Sequence, residues 1–208
     1  MFNIPFFKYD IDNWQEKKQK LLEICSTIDF KNQETKTRNN IGVSADNLYT
    51  DYGYDNSYKD KVVDILKDEL TKFKSDAKLG NIKVNSAWFQ QYYKSQFHSP
   101  HSHGALGYST VTYIKFNKKK HQPTIFIAPF NDPRGNLVEY APEVDEGNIV
   151  FFPSMLTHYV LPNKSSDIRI ILSFNVELYW LWLLLCYNDS MKPVVKYQGG
   201  KTKELSRI

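Results

Sequence analysis

The chain has 208 residues, of which 41% are apolar and 15% aromatic, and it carries a formal charge of +4. That length can bury one substantial core, and the aromatic content excludes a disordered protein, which would be poor in rings and high in net charge. The excess charge sits mainly in Lys118-Lys119-Lys120 and in the tail from Lys192 to Arg207, with no aromatic platform or recognition helix beside either run, so nucleic acid is not an expected partner.

The N-terminal stretch MFNIPFFKYDIDNW has no basic segment followed by an apolar one, and so does not read as a signal peptide. Residues Asp12 to Ile28 read as a helix, with Asp12 as N-cap and Trp14, Leu21, Leu22 and Cys25 as the apolar stripe. Residues 31–57 are polar and rich in Asn, Asp and Gly, and predict a long connection with one short strand. A second helix is predicted from Lys59 to about Lys74, with Val62, Ile65, Leu66, Leu70 and Phe73 on its apolar face.

From Ile82 the pattern changes to short strands over Ile82–Tyr93, Tyr108–Phe116, Thr124–Ala128, Asn148–Pro153 and Ile168–Val176, separated by turn-forming clusters. Helices followed by a block of strands predict an α+β, mainly β domain over residues 1–176. Its helical part spans 1–80 and packs on one sheet of a jelly-roll core over 81–176. Residues 177–208 read as an extension. Its apolar run Leu178–Tyr187 is about half the length of a membrane-spanning helix, so a core strand or a docking helix is expected, and no membrane. Cys25 and Cys186 form neither a disulfide framework nor a metal-binding pair, which fits a cytoplasmic protein.

Three of the five histidines fall in HSPHSH, at positions 98, 101 and 103. On a strand, residues two apart share a face, so His101 and His103 can converge on one ion while His98 is not expected to join them. A surface histidine cluster is the alternative. His158 follows in EGNIVFFPSMLTH, and Arg169 interrupts the apolar strand RIILSFN. On that strand Arg169, Ile171, Ser173 and Asn175 share a face. If this face lines a cavity, the arginine calls for an anion, and a dicarboxylate suits its fork geometry; otherwise it sits at a strand end or pairs with a structural carboxylate.

The order HxH, distal His, then Arg resembles the iron(II)/2-oxoglutarate dioxygenases, in particular the prolyl-hydroxylase-like branch and members met in phages and marine bacteria. The resemblance runs from about Trp88 to Val176, through WFQQYYKS, HSH, YSTVTYIKF, EGNIVFFPSMLTH and RIILSFN. It implies a double-stranded β-helix, Fe(II) held by His101, His103 and His158, and 2-oxoglutarate held by Arg169, Tyr113, Tyr93 and Ser173. Gln91 and Asn175 would line the pocket toward substrate. It further implies hydroxylation of a peptidyl or small-molecule C–H bond with release of succinate and CO2, in the cytoplasm, or in a host's if the chain is phage-encoded. His103 stands where most such enzymes carry Asp, which departs from the usual two-His, one-carboxylate triad. Asp145 and Glu146 are expected in a solvated turn. Two other readings stay open: a three-His cupin-type metal enzyme without 2-oxoglutarate, and a non-catalytic jelly-roll module. The loops 31–57 and 117–123 are candidate rims for an unidentified substrate, and the apolar run at Leu178–Tyr187 suggests a homodimer.

Overall fold

A computed structural model of the protein describes residues 4–30, 48–53 and 57–179. Its elements run β1 (Phe7–Asp10), α1 (Trp14–Ser26), β2 (Tyr49–Thr50), α2 (Lys59–Ile65), α3 (Lys67–Asp76), β3 (Asn81–Tyr92), β4 (His98–His101), β5 (Tyr108–Lys115), β6 (Ile125–Asn131), β7 (Leu137–Tyr140), β8 (Asn148–Pro153), β9 (His158–Val160) and β10 (Arg169–Tyr179). Two antiparallel sheets result. The larger has the order β1-β8-β5-β10-β3-β2, and the smaller β4-β9-β6-β7. This is the mainly β, jelly-roll architecture expected, with the helices laid on the outer face of the larger sheet.

Alternation along the central strands creates two cores, because successive side chains leave a strand on opposite faces. In β8, Ile149 and Phe151 face the helices, where Leu21, Cys25, Val62, Leu66, Leu70 and Phe73 are buried with them. Val150 and Phe152 face the smaller sheet, joining Tyr92, Val111, Tyr113, Phe126 and Ile171. The inter-sheet space is therefore lined by one parity of β3, β5, β8 and β10, and it holds the buried polar groups discussed below.

The first helix starts at Trp14 rather than at an Asp12 cap. Asn13 takes the N-cap position with φ 53° and makes no side-chain cap bond, while the Asp12 backbone N–H donates to Glu69 Oε1 at 3.2 Å. The second predicted helix is broken at Leu66 into α2 and α3. Gly147, in the turn before β8, has φ +89°, and a Cβ there would lie 2.9 Å from the Trp14 ring, so the turn needs glycine on both conformational and steric grounds. Asp145 and Glu146 lie beside this turn as expected, paired with Lys118 and Lys18. No helix among the described residues is long and apolar enough to cross a membrane. Most of the 31–57 connection, the apolar run beyond Tyr179 and the basic tail lie outside the described residues.

Candidate metal centre and anion pocket

The pairing of β4 with β9 places His101 directly opposite His158. One ring nitrogen from each of His101, His103 and His158 lies within 4.8 Å of the others. His103 Nε2 and His158 Nε2 are 3.2 Å apart, close to the roughly 3–3.5 Å separation of two imidazole nitrogens bonded to one ion at about 2.1 Å. Backbone carbonyls fix two tautomers. His101 Nδ1–H donates to Ser99 O at 2.8 Å and His158 Nδ1–H to Leu156 O at 2.9 Å, which turns both Nε2 lone pairs to the centre.

His103 does not reach this cluster by strand alternation. Strand β4 ends at His101, and the chain enters a loop in which Gly104 has φ +109°. His103 is held instead by its backbone N–H, which donates to Ser154 O at 2.8 Å, and by the Trp88 ring 5.2 Å away. His98 is not among the three, as expected, but its ring lies against them. The β4–β9 register shifts between His98 and His101, and the two rings stack at 3.7 Å. An irregularity of this kind breaks the period of two on which the parity reading depends.

Burial is the main force on these rings. It pushes the His103 imidazole down to about 3, with the neighbouring His101 as the second cause. His98 and His158 are also held well below the ordinary histidine range, first by burial and then by the other rings; for His98 the Arg169 charge adds to this. His103 and His158 are thus neutral nitrogen donors, and among the described residues no carboxylate joins the cluster. Neutral imidazoles suit iron, zinc, copper or nickel.

Beside the histidines lies a buried cation. Arg169 is 1% exposed, on the inner face of β10 opposite Tyr92 of β3. Its guanidinium carbon sits 4.9 Å from the Tyr92 ring centre, 5.7 Å from Tyr113 and 6.0 Å from Phe116. One Nη donates to Thr124 Oγ1 at 3.1 Å, while Nε and the other Nη have no acceptor among the described residues. The Tyr113 hydroxyl accepts from the Thr124 N–H at 3.2 Å, leaving its own proton to be donated. A buried guanidinium with two open donor positions is costly unless an anion completes it, and a carboxylate matches it in charge and geometry. The residues present therefore fit a dicarboxylate at one end and a divalent metal at the other.

The remaining expected site residues divide by face. Ser173, opposite Trp88, is buried in the inter-sheet space. Asn175 faces the same way, but its amide is engaged: Oδ1 accepts from Ser109 Oγ at 2.8 Å, and Ser109 meets Ser154 at 2.9 Å. Tyr93 and Gln91 do not belong to the pocket. Gln91 pairs with Ile170, which faces the helices, and its amide reaches Cys25 Sγ; Tyr93 is 47% exposed and packs on Tyr49. The inner face of β3 carries Trp88, Gln90 and Tyr92 instead. The sequence offers little to decide this, because Trp88-Gln90-Tyr92 and Phe89-Gln91-Tyr93 are nearly identical in character.

Residues 86–175 match the family described as putative 2OG-Fe(II) oxygenase. No protein of curated function matches the chain by sequence. Among solved structures, the chain is similar to a viral collagen prolyl hydroxylase from Paramecium bursaria Chlorella virus-1, with 14% identity and a TM-score of 0.56, covering 84% of this chain and 96% of that one. It is similar to a Pseudomonas putida prolyl-4-hydroxylase at 14% identity and a TM-score of 0.54, covering 86% and 95%. HygX from Streptomyces hygroscopicus, solved with nickel, 2-oxoglutarate and hygromycin B, aligns at 9% identity and a TM-score of 0.59, covering 85% and 84%. At such identities these likenesses speak for the fold. Residues 86–175, which carry the three histidines and Arg169, match the putative 2OG-Fe(II) oxygenase family, and the fold is that of the solved prolyl hydroxylases.

Proposed function

We propose that the protein is an iron(II)- and 2-oxoglutarate-dependent dioxygenase that hydroxylates a C–H bond of a peptidyl or small-molecule substrate, releasing succinate and CO2. The observation that carries this reading is Arg169, buried between the sheets with two donor positions that find no acceptor among the described residues. Neither a metal enzyme that ignores 2-oxoglutarate nor a structural jelly roll gives that cation a task.

In this reading His101, His103 and His158 hold the metal, the first and last through Nε2. Arg169 takes the distal carboxylate of 2-oxoglutarate, and Tyr113 donates its hydroxyl proton to the same group. Ser173 and Asn175 line the wall between the two ends. Iron and 2-oxoglutarate, when bound, supply the oxygen-activating chemistry, and the protein supplies orientation and a water-poor site. Because all three protein ligands are neutral, the charge of the metal is left to be met by bound anions. Metal and 2-oxoglutarate should therefore strengthen each other's binding, by the same factor in each direction.

The three-imidazole set is the one observation that favours a second reading, a cupin-type metal enzyme without 2-oxoglutarate. Succinate formation separates the two. Protein incubated aerobically with iron(II), ascorbate and 2-oxoglutarate is expected to release succinate slowly even without substrate. Arg169→Ala is expected to raise the KM for 2-oxoglutarate at least tenfold. Iron binding without any consumption or binding of 2-oxoglutarate would transfer the assignment to the second reading.

A further inference from the structure

Each ligand ring of the proposed centre is backed by a side chain from the protein. His158 is enclosed by Phe152 and Phe126, with ring centres 4.8 and 5.7 Å away. His103 has Trp88 at 5.2 Å and Tyr52 at 6.5 Å. Behind His101 stands His98, at 3.7 Å and only 23° from parallel. This is the closest ring stack at the centre, and it supports a ligand at the end of a short strand. His101 is the last residue of a four-residue strand, it precedes a loop with two positive-φ glycines, and its own ring bond to Ser99 is local.

His98 is itself tied down from the opposite sheet. Gln90, 5% exposed on the inner face of β3, brings its amide nitrogen within 3.1 Å of His98 Nδ1. An amide NH2 can only donate, so Nδ1 accepts and the neutral ring carries its proton on Nε2. The bond fixes both the ring plane and the tautomer. A continuous connection therefore runs from the twelve-residue strand β3 through Gln90 and His98 to His101.

We propose that Gln90 and His98 are positioning residues that set the ring plane of His101 and thereby the affinity and geometry of the metal centre. The inference rests on the metal reading above. It assigns the fourth histidine of the cluster to support instead of ligation. Groups that orient a ligating histidine commonly change metal affinity 10–100-fold on removal, and the brace should behave in that way.

Cobalt(II) alone is the probe, titrated into the full chain under anaerobic conditions, with its visible absorption bands reporting ligand geometry. His98→Ala is expected to weaken cobalt binding about 10–100-fold and to shift the bands. His98→Phe keeps a flat ring in the stack and is expected to recover most of the affinity and the wild-type band positions. Gln90→Leu is expected to weaken binding several-fold when His98 is present and to have no effect in the His98→Phe background, because its action passes through Nδ1. Thermal melts of the metal-free variants identify any that fail to fold, and the Gln90→Leu and His98→Phe pair carries the test in that event. His158→Ala serves as the reference: if it leaves cobalt binding unchanged, the metal reading itself fails. If His158→Ala abolishes binding while His98→Ala leaves affinity and bands unchanged, or Gln90→Leu acts equally in both backgrounds, the brace alone is refuted.

Discussion

A guanidinium kept from water needs an anion or a full set of acceptors, and Arg169 has one threonine hydroxyl and three aromatic faces. Ring faces attract a cation without replacing the hydrogen bonds lost on burial. The residue should therefore be a burden on the empty protein and an asset to the liganded one. Arg169→Met keeps the aliphatic stem and removes the charge. It is expected to leave the metal-free protein as stable as wild type or up to about 1–4 kcal/mol more stable, as when other buried ions are replaced by apolar groups. Wild type with 2-oxoglutarate at a hundred times its Kd should gain about 2.7 kcal/mol, and Arg169→Met should gain nothing. Denaturant melts with and without 2-oxoglutarate and metal check both signs. A large loss of stability in the metal-free variant would mean that Arg169 is a structural residue.

At the scale of elements, the sequence was most legible where strands were long and alternated through two cores. Strand β8 has the bounds its pattern predicts, and β3, β5 and β10 differ by one to three residues at their ends. Strands β1, β4, β7 and β9 escaped because three or four residues carry at most two periods of alternation, and β7 is largely exposed on both faces. The order of His101, His103, His158 and Arg169 was readable as a pattern. What was not readable was the choice of Tyr92 over Tyr93, which depends on the pairing register, and the approach of His98, which depends on the irregularity in β4. The segment at β2 adds a connection that no periodicity announces: buried Asp51 accepts the Phe89 N–H at 2.7 Å and the Tyr58 hydroxyl, clipping the chain after β2 to β3. Asp51→Ala would leave the Phe89 N–H short of an acceptor and the Tyr58 hydroxyl with only Ala87 O at 3.2 Å, and is expected to cost about 1–3 kcal/mol. Burial raises the Asp51 carboxyl above its ordinary value, with the hydrogen bonds from Tyr58 and Phe89 opposing it. The folded state then holds this proton to higher pH than the unfolded state does. Its contribution is fully present below the unfolded carboxylate value, and it is lost as pH rises through the folded one. Asp51→Asn is expected to flatten that part of the stability–pH profile in denaturant melts. An unchanged slope would remove Asp51 as its source. Gly147→Ala, forced against Trp14 at positive φ, is expected to cost roughly 1–3 kcal/mol by the same measurement.

For the molecule as a whole, the larger sheet divides two kinds of work. Its outer face is closed by α1, α2 and α3 over an apolar core, and its inner face turns Arg169 and Gln90 toward the smaller sheet, whose strands β4 and β9 carry His98, His101 and His158. Stability and binding should therefore be separable. Phe73 is fully buried on the helical side and stacks on Phe151 at 4.1 Å and 8°. Phe73→Ala is expected to cost about 3–5 kcal/mol while leaving the metal affinity of the folded fraction within a factor of two or so, since only apolar contacts on the far face are lost. A matching drop in intrinsic metal affinity would show that the two faces are coupled. The central claim, that one pocket holds metal and 2-oxoglutarate together, is tested most directly by visible spectroscopy of anaerobic protein given iron(II) and then 2-oxoglutarate. A weak charge-transfer band is expected that needs both additions and disappears in Arg169→Ala and in His103→Ala. Bound iron with no band on addition of 2-oxoglutarate would contradict the claim.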